Sequence, residues 1–509
     1  MKAITSPARI PLVMVAGSLL IALLILRFGL WTIPGTVVVA VGLLGLVRIE
    51  WGLYGLIFLL PFTAIEGRVS EEIVQEFKRV MVVGIGGAWV LHLLLQGRSI
   101  RFPRFLLLPI IVLGSAAVLS VFRAPERAVA ASSTARLLAY ILVYVVVMAD
   151  VLAEPGRLWT AVRLLLVSAT LTAAFGLYQL IAHFEGWSAF LSPFYQTEYL
   201  LPRVHSFMQE PLWLSNYLLV VFPLGFALYA WRERTWPLLS LLAVSSTGIG
   251  IVIAASRLGW ATLAIVIPLF LVLARSSLRP GLVGRLAAVV SVVLVPFLLL
   301  WASRFASSGD FFDYLKAFAS FGSAEHGEGD LEGHLRNLSL VWDALRISPL
   351  IGIGTNNIGF RFYADLPIVG PQISTTHNTY LDVLIETGGT GLLAFAVLLG
   401  AALHAAWKGF KRFGWRRESA LCFGIYIGLL GMAVHLTNWS GWREAHVWFI
   451  LGLAFAARQA LQATSHTEAP ERLLADLGIP DTQDCRCIVG EPEAADLEQA
   501  GLGISNKPE

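Results

Sequence analysis

The sequence predicts an all-α polytopic membrane protein with about 12–14 transmembrane helices. Three observations lead there. The 509 residues are 57% hydrophobic and only 14% charged, where a soluble domain carries roughly 25% charged residues, and the mean hydropathy is +0.72. Apolar runs long enough to cross a bilayer recur along the chain. Lys and Arg gather in alternate connections between those runs.

The apolar segments fall near 10–26, 31–47, 51–65, 80–96, 105–122, 131–153, 158–182, 212–231, 236–255, 258–275, 286–303, 390–407, 419–437 and 445–463, with 31–47 and 51–65 the weakest. Lys2 and Arg9 precede the first, as in a signal peptide. Ile25-Leu26-Arg27 offers no small-residue cleavage site, so the run reads as an uncleaved span. With the N-terminus inside, the inner loops hold Arg48; Arg98, Arg101 and Arg104; Arg157; Arg232 and Arg234; Arg275, Arg279 and Arg285; and the group from Lys408 to Arg417. Positive residues favour the cytoplasmic side, so both termini are expected there. The poorest fit is the outer stretch 66–79, where Arg68, Lys78 and Arg79 are offset by Glu66, Glu71, Glu72 and Glu76.

The formal charge of +3 hides an asymmetry, because residues 464–509 hold ten acidic and three basic side chains. The positive excess therefore belongs to 1–463, spread between apolar runs as membrane topology requires rather than on one nucleic-acid-binding face. The sequence predicts a transmembrane domain over 1–463 and an acidic, disordered cytoplasmic tail over 464–509. Cys422, Cys485 and Cys487 form neither a disulfide framework nor a zinc site.

Two long connections, 183–211 and 304–389, fall on the outer side, and long loops are where function concentrates. The second is partly helical. Leu335, Leu338, Val341, Trp342 and Leu345 recur at helical spacing until Ser348-Pro349, giving an apolar face to lay on the membrane domain. A second helix starts at His377-Asn378 with Thr376 as its cap, buries Tyr380, Leu381, Leu384 and Ile385, and stops at Gly388-Gly389.

Charges at the outer ends of spans are the first functional candidates, because an ionised group near hydrocarbon is costly. Arg257 lies where one span turns almost directly into the next, and Arg203 stands in the other outer loop ahead of Glu210-Pro211 and Asn216. Each alone reads as a snorkelling or solvated charge. Together on one side they make a clamp for an anion such as a diphosphate, since guanidinium bonds oxygens in pairs. Arg336 is a third candidate, with a solvated helix face as its plainer role. His377 brings a group able to take a proton from a hydroxyl near neutral pH. His183, His205, His326 and His334 share its side, and His92, His404 and His435 lie in spans as packing or hydrogen-bonding residues. No H-E-x-x-H or D-x-D occurs, so neither a metal nor a cofactor is expected.

The order of these pieces resembles the O-antigen ligase and polymerase family. The resemblance runs through Ser256-Arg257-Leu258-Gly259-Trp260, Arg336 with Trp342, Pro349-Leu350-Ile351-Gly352-Ile353-Gly354 and His377-Asn378-Thr379-Tyr380-Leu381, and closes on Glu386, Gly388 and Gly391. It covers about residues 200–405. It implies a GT-C-like fold in the bacterial inner membrane and a metal-independent, inverting transfer. A glycan would pass from undecaprenyl diphosphate to an acceptor hydroxyl on lipid A core or on a growing glycan. Arg203, Arg257 and Arg336 would then hold the diphosphate, His377 would activate the acceptor, and Asn378, Gly352 and Gly354 would support them. Thr387-Gly388-Gly389-Thr390-Gly391 is richer in glycine than the family pattern, which implies a looser hinge. A repeat-unit polymerase shares this donor chemistry. A polysaccharide flippase would carry polar residues at the bilayer midplane, whereas here they crowd one surface.

Overall fold

The computed structural model describes residues 48–62, 71–97, 99–187, 203–231, 236–274, 331–362, 375–412 and 417–476, and its regular elements there are all helices. We number them α1 (Ile49–Phe58), α2 (Glu71–Gln96), α3 (Leu107–Val121), α4 (Arg127–Tyr140), α5 (Pro155–Phe184), α6 (Pro211–Ala230), α7 (Pro237–Ile253), α8 (Arg257–Ala274), α9 (Leu331–Ile347), α10 (Ile358–Phe362), α11 (Thr379–Arg412), α12 (Arg417–His435) and α13 (Ala445–Asp476). Among the described residues eight helical stretches are long and apolar enough to cross a membrane: α2, α3, α4 with its extension to Val151, α5, α6, α8, α11 and α12. The protein is an all-α polytopic membrane protein. The predicted spans 10–26, 31–47 and 286–303 lie outside the described residues.

Two compact units divide the chain at Ala460 and Leu461. In the second, α13 stays helical to Asp476, and residues 477–509 of the expected tail are outside the described set. The first unit is built on α6, which is buried along nearly its whole length, as expected of a helix that is hydrophobic all round. α7 and α12 pack along it, and α11 packs on α3 and α12.

The α6–α12 contact depends on missing side chains. A Cβ on Gly424 would sit 2.6 Å from the Leu224 Cα, and one on Gly428 would sit 2.7 Å from the Val220 carbonyl oxygen. This G-x-x-x-G spacing lets two backbones touch, the close approach by which helices associate within lipid. Replacing Gly428 by Leu should force the pair apart and cost about 1–3 kcal/mol or more. The check is thermal unfolding of the solubilised protein together with its membrane abundance.

α13 tells the same story against the π-helical segment Ile141–Val147 that extends α4. A Cβ on Gly452 would lie within bonding distance of the Tyr144 carbonyl oxygen. Residues Val447 to Ala457 of α13 are buried.

α11 breaks where the sequence reading expects a stop. Gly388 takes φ 71° and ψ −175°, outside helical geometry, so α11 is two helical pieces joined by a kink, the second running on to Arg412. A break in the ladder frees carbonyls, and here they are taken by another segment. Ile353 N–H donates to the Ile385 carbonyl at 3.0 Å and Gly354 N–H to the Glu386 carbonyl at 3.1 Å, while Gly389 N–H donates to the Pro349 carbonyl at 2.8 Å. The segment Pro349–Gly354 thus lies across the kink as a wedge. Both crossing points are glycine, since a Cβ on Gly352 would meet the Glu386 backbone at 2.4 Å and one on Gly388 the Leu350 backbone at 2.3 Å. The residues that follow the wedge are fixed to the start of α4: Thr355 Oγ1 lies 2.9 Å from Thr134 Oγ1 and donates to the Ala130 carbonyl, and Asn357 Oδ1 accepts from Glu126 N–H.

Candidate functional site

At one end of the bundle, the connections that open α6, α8, α11 and α13 meet. His377 stands just before α11 in a left-handed conformation, φ 54°, a region where histidine is among the tolerated non-glycine residues. Both flanks hold it there. Asn378 Oδ1 accepts from Tyr380 N–H at 3.0 Å and Leu381 N–H at 3.2 Å, so Asn378 caps the helix, not Thr376 as the sequence suggested. Thr376 has a different task, because its N–H and Oγ1 both donate to Asp382 Oδ1 at 2.8 and 2.7 Å. The helix start is tied further by Thr379 Oγ1, which donates to the Trp439 carbonyl and accepts from Gly441 N–H, and by Tyr380 Oη, which donates to the Ala433 carbonyl at 2.8 Å.

Arg203 is half-buried in a segment that is pinned residue by residue. Val204 N–H donates to the Ile253 carbonyl, Ser206 N–H to Gln179 Oε1 and Ser206 Oγ to the Thr172 carbonyl. Phe207 stacks between Phe62 and Phe175 at 4.6 and 4.3 Å. His205 is buried, its Nδ1 2.7 Å from the Met208 carbonyl oxygen. The Val204–Ile253 bond brings this segment beside the turn from α7 to α8, where Arg257 is the first helical residue and is exposed. Ala255 makes that turn at φ 46°, and Ser256 Oγ caps α8 by accepting Gly259 N–H at 3.0 Å.

Glu210 joins the two halves of the site. Burial pushes its carboxyl above the usual carboxylate range, while the charges of His377 and Arg203 pull it back. The histidine and one arginine named from sequence therefore act on one carboxylate. Behind it lies a second group. Burial raises the Glu444 carboxyl, Arg136, Arg443 and Lys78 oppose the rise, and Glu210 adds to it. Arg443 also lies 3.7 Å from the buried Glu386 carboxylate and donates to Asn356 Oδ1, which joins the α12–α13 connection to the wedge.

A raised Glu444 has a consequence for stability. Its native pKa is above its unfolded value, so the contribution is complete below the ordinary 4.5 and is lost as pH rises through the native value. Glu444→Gln cannot ionise. Its melting temperature relative to the parent should therefore increase as pH rises above about 4.5, and parallel pH profiles of the two proteins would contradict this assignment.

A buried chain of polar side chains underlies the whole arrangement. His446 Nε2 donates to Asn216 Oδ1 at 3.1 Å, and Asn216 Nδ2 donates to His435 Nδ1 at 3.2 Å. His435 Nε2 then points at Ser256 Oγ at 3.5 Å. The amide sets both rings as Nε2–H tautomers. Trp439 stacks on His446 with centroids 5.3 Å apart. One asparagine on α6 thus links the end of α12, the start of α13 and the cap beside Arg257.

Of the residues named from sequence, Arg203 and His377 converge on Glu210, and Arg257 stands on the adjacent turn. Arg336 lies near the start of α9. Gly352 and Gly354 belong to the wedge, and Asn378 is the cap beside His377. His435 makes the interhelical bond expected of it. Arg443, Glu444 and His446 were missed. Their signal was Trp439-Ser440-Gly441-Trp442-Arg443-Glu444-Ala445-His446, a charged pair directly after two tryptophans in the very short connection between α12 and α13.

The wedge, the capped His377 and the Arg257 turn belong to one stretch that is also recognisable by comparison. Residues 239–396 match the O-antigen ligase family model. The resemblance read from the sequence holds for this domain, which runs from α7 to the first turns of α11 beyond the kink. The similarity over this stretch supports a glycosyl-transferring enzyme of polysaccharide assembly, and the apolar helices make it a multi-pass membrane protein. No curated protein matches the chain.

Proposed function

We propose that the O-antigen ligase domain transfers a glycan from undecaprenyl diphosphate to an acceptor hydroxyl on the periplasmic face of the inner membrane. What supports this reading is the Val204–Ile253 hydrogen bond that sets the Arg203 segment beside the turn holding Arg257, with the charges of His377 and Arg203 both acting on Glu210. An inverting transfer needs a base on one side of the anomeric carbon and an anion site on the other. The acceptor oxygen attacks that carbon as its proton passes to His377. The bond to the diphosphate breaks, and its electron pair leaves on a phosphate oxygen held by Arg203 and Arg257, with Arg336 a further candidate for the same anion. Glu210, when ionised, faces the imidazolium that forms and stabilises it. No step in this scheme calls for a metal or a cofactor.

The test is transfer by the purified enzyme from an undecaprenyl-diphosphate-linked glycan, with lipid A core and a growing glycan offered in parallel. Product on lipid A core is the result expected of a ligase, and product only on the growing glycan would make the protein a polymerase. Transfer should persist in EDTA. A loss that magnesium restored would remove the metal-free scheme.

A further inference from the structure

α9 buries only part of its apolar surface. Leu340, Val341 and Ala344 pack into a cluster with Ile353, Ile358 and Ile385, which seats the helix on the wedge and α11. Next to that strip Leu338 and Trp342, one turn apart, are 55% and 59% exposed. Asp343 and Ser339 occupy the polar side. The helix is therefore apolar over a wider arc than its protein neighbours cover, and the uncovered part is not an isolated patch. Leu350, 64% exposed, ends the same segment and its carbonyl accepts from Thr390 Oγ1. On the spanning helix α11, Leu393 and Val397 follow Thr390 at three and seven residues, so they share its face, and both are exposed. The uncovered residues around α9 thus continue into the lipid-facing surface of a membrane span.

We infer that α9 lies in the surface of the bilayer, with Leu338 and Trp342 inserted among the lipids. Continuity with α11 selects lipid as the occupant, because the surface that Leu350 extends is one the hydrocarbon already covers. The chemistry of the exposed side agrees. Tryptophan concentrates at the membrane–water boundary, and the Arg346 guanidinium lies 5.2 Å from the Trp342 ring centroid, where its stem can follow the apolar surface while the charge reaches headgroups. A helix with one apolar side and one polar side lies in the interface plane in this manner. Because the wedge follows α9 directly, the bilayer surface would then also set the depth of the segment that crosses the α11 kink.

The inference needs only a membrane protein, so it can fail while the proposed transfer stands, and the reverse. The experiment places a nitroxide at Leu338→Cys, Trp342→Cys and Asp343→Cys in the full-length protein, in lipid nanodiscs, with Cys485 and Cys487 replaced by Ser; Cys422 is buried. Collision rates with oxygen, which partitions into lipid, are compared with those of a water-soluble nickel chelate. The ratio of oxygen to nickel collisions should be several-fold higher at positions 338 and 342 than at 343. Equal ratios at all three would put α9 in water. Protection of 338 and 342 from both reagents would mean that protein covers them, and either result overturns the inference. Unchanged melting temperatures show that the labelled variants are folded, and agreement between 338 and 342 guards against a local effect of losing the tryptophan.

Discussion

His377→Ala is expected to lower glycan transfer about 10²- to 10⁴-fold without lowering the amount of protein in the membrane, the range typical of a lost general base. The ring is the part being tested, so the backbone must be held constant. His377 has φ 54°, and asparagine is another residue that accepts this conformation. His377→Asn should therefore keep the Asn378 cap and the melting temperature while losing the same activity. His205→Ala is the contrasting variant, because that ring is buried against the Met208 carbonyl: it should act on stability before transfer. Near-normal turnover by folded His377→Asn would show that the base is another group, with Glu210 the next to examine.

Arg203→Lys should be nearly as harmful as Arg203→Ala, with at least tenfold loss of transfer in both. Lysine keeps the charge, and a site that needed only attraction to an anion would accept it. A diphosphate held by paired parallel hydrogen bonds would not, because ammonium cannot reproduce the planar fork. The same comparison at Arg257 is the sharper discriminator. That residue is exposed at the head of α8, where a snorkelling lysine would serve as well as arginine. Donor-lipid binding and transfer by each purified variant measure the effect, and full activity in both lysine variants would return these arginines to the role of topology markers.

The spans were legible because length and apolarity are local properties, and a run such as 212–231 has no other stable use. The limits were local as well. The segment predicted over 51–65 gives a ten-residue helix ending at Phe58, ahead of Pro61, which disfavours helical geometry in the residue before it. Gly388-Gly389 read as a stop, and Gly388 does leave helical geometry, but the residues whose N–H groups donate to the freed carbonyls, Ile353 and Gly354, lie more than thirty positions away and gave no local signal. Thr376 and Asn378 are both competent caps by type, and only the register of the turn chooses between them. At the site, arginines and a histidine stood out by their chemistry. Glu210 was passed over as a neighbour of Arg203, since nothing in the sequence reveals that His377 approaches it across some 170 positions.

The wedge carries a consequence for biogenesis. Its residues, 349–354, leave the ribosome before α11, yet their hydrogen bonds are to carbonyls at Ile385 and Glu386 on that later helix. The next residue, Thr355, is held by Ala130 and Thr134, which were made more than two hundred residues earlier. Until docking, the kink leaves those two carbonyls without the partners they have in the mature protein, a costly state for a helix already inserted. Docking must then come after insertion of α11, so a helix made late completes an arrangement whose other side, on α4, was made early. A nascent chain arrested before residue 379 should expose the 349–357 segment to protease, and release of the full chain should protect it.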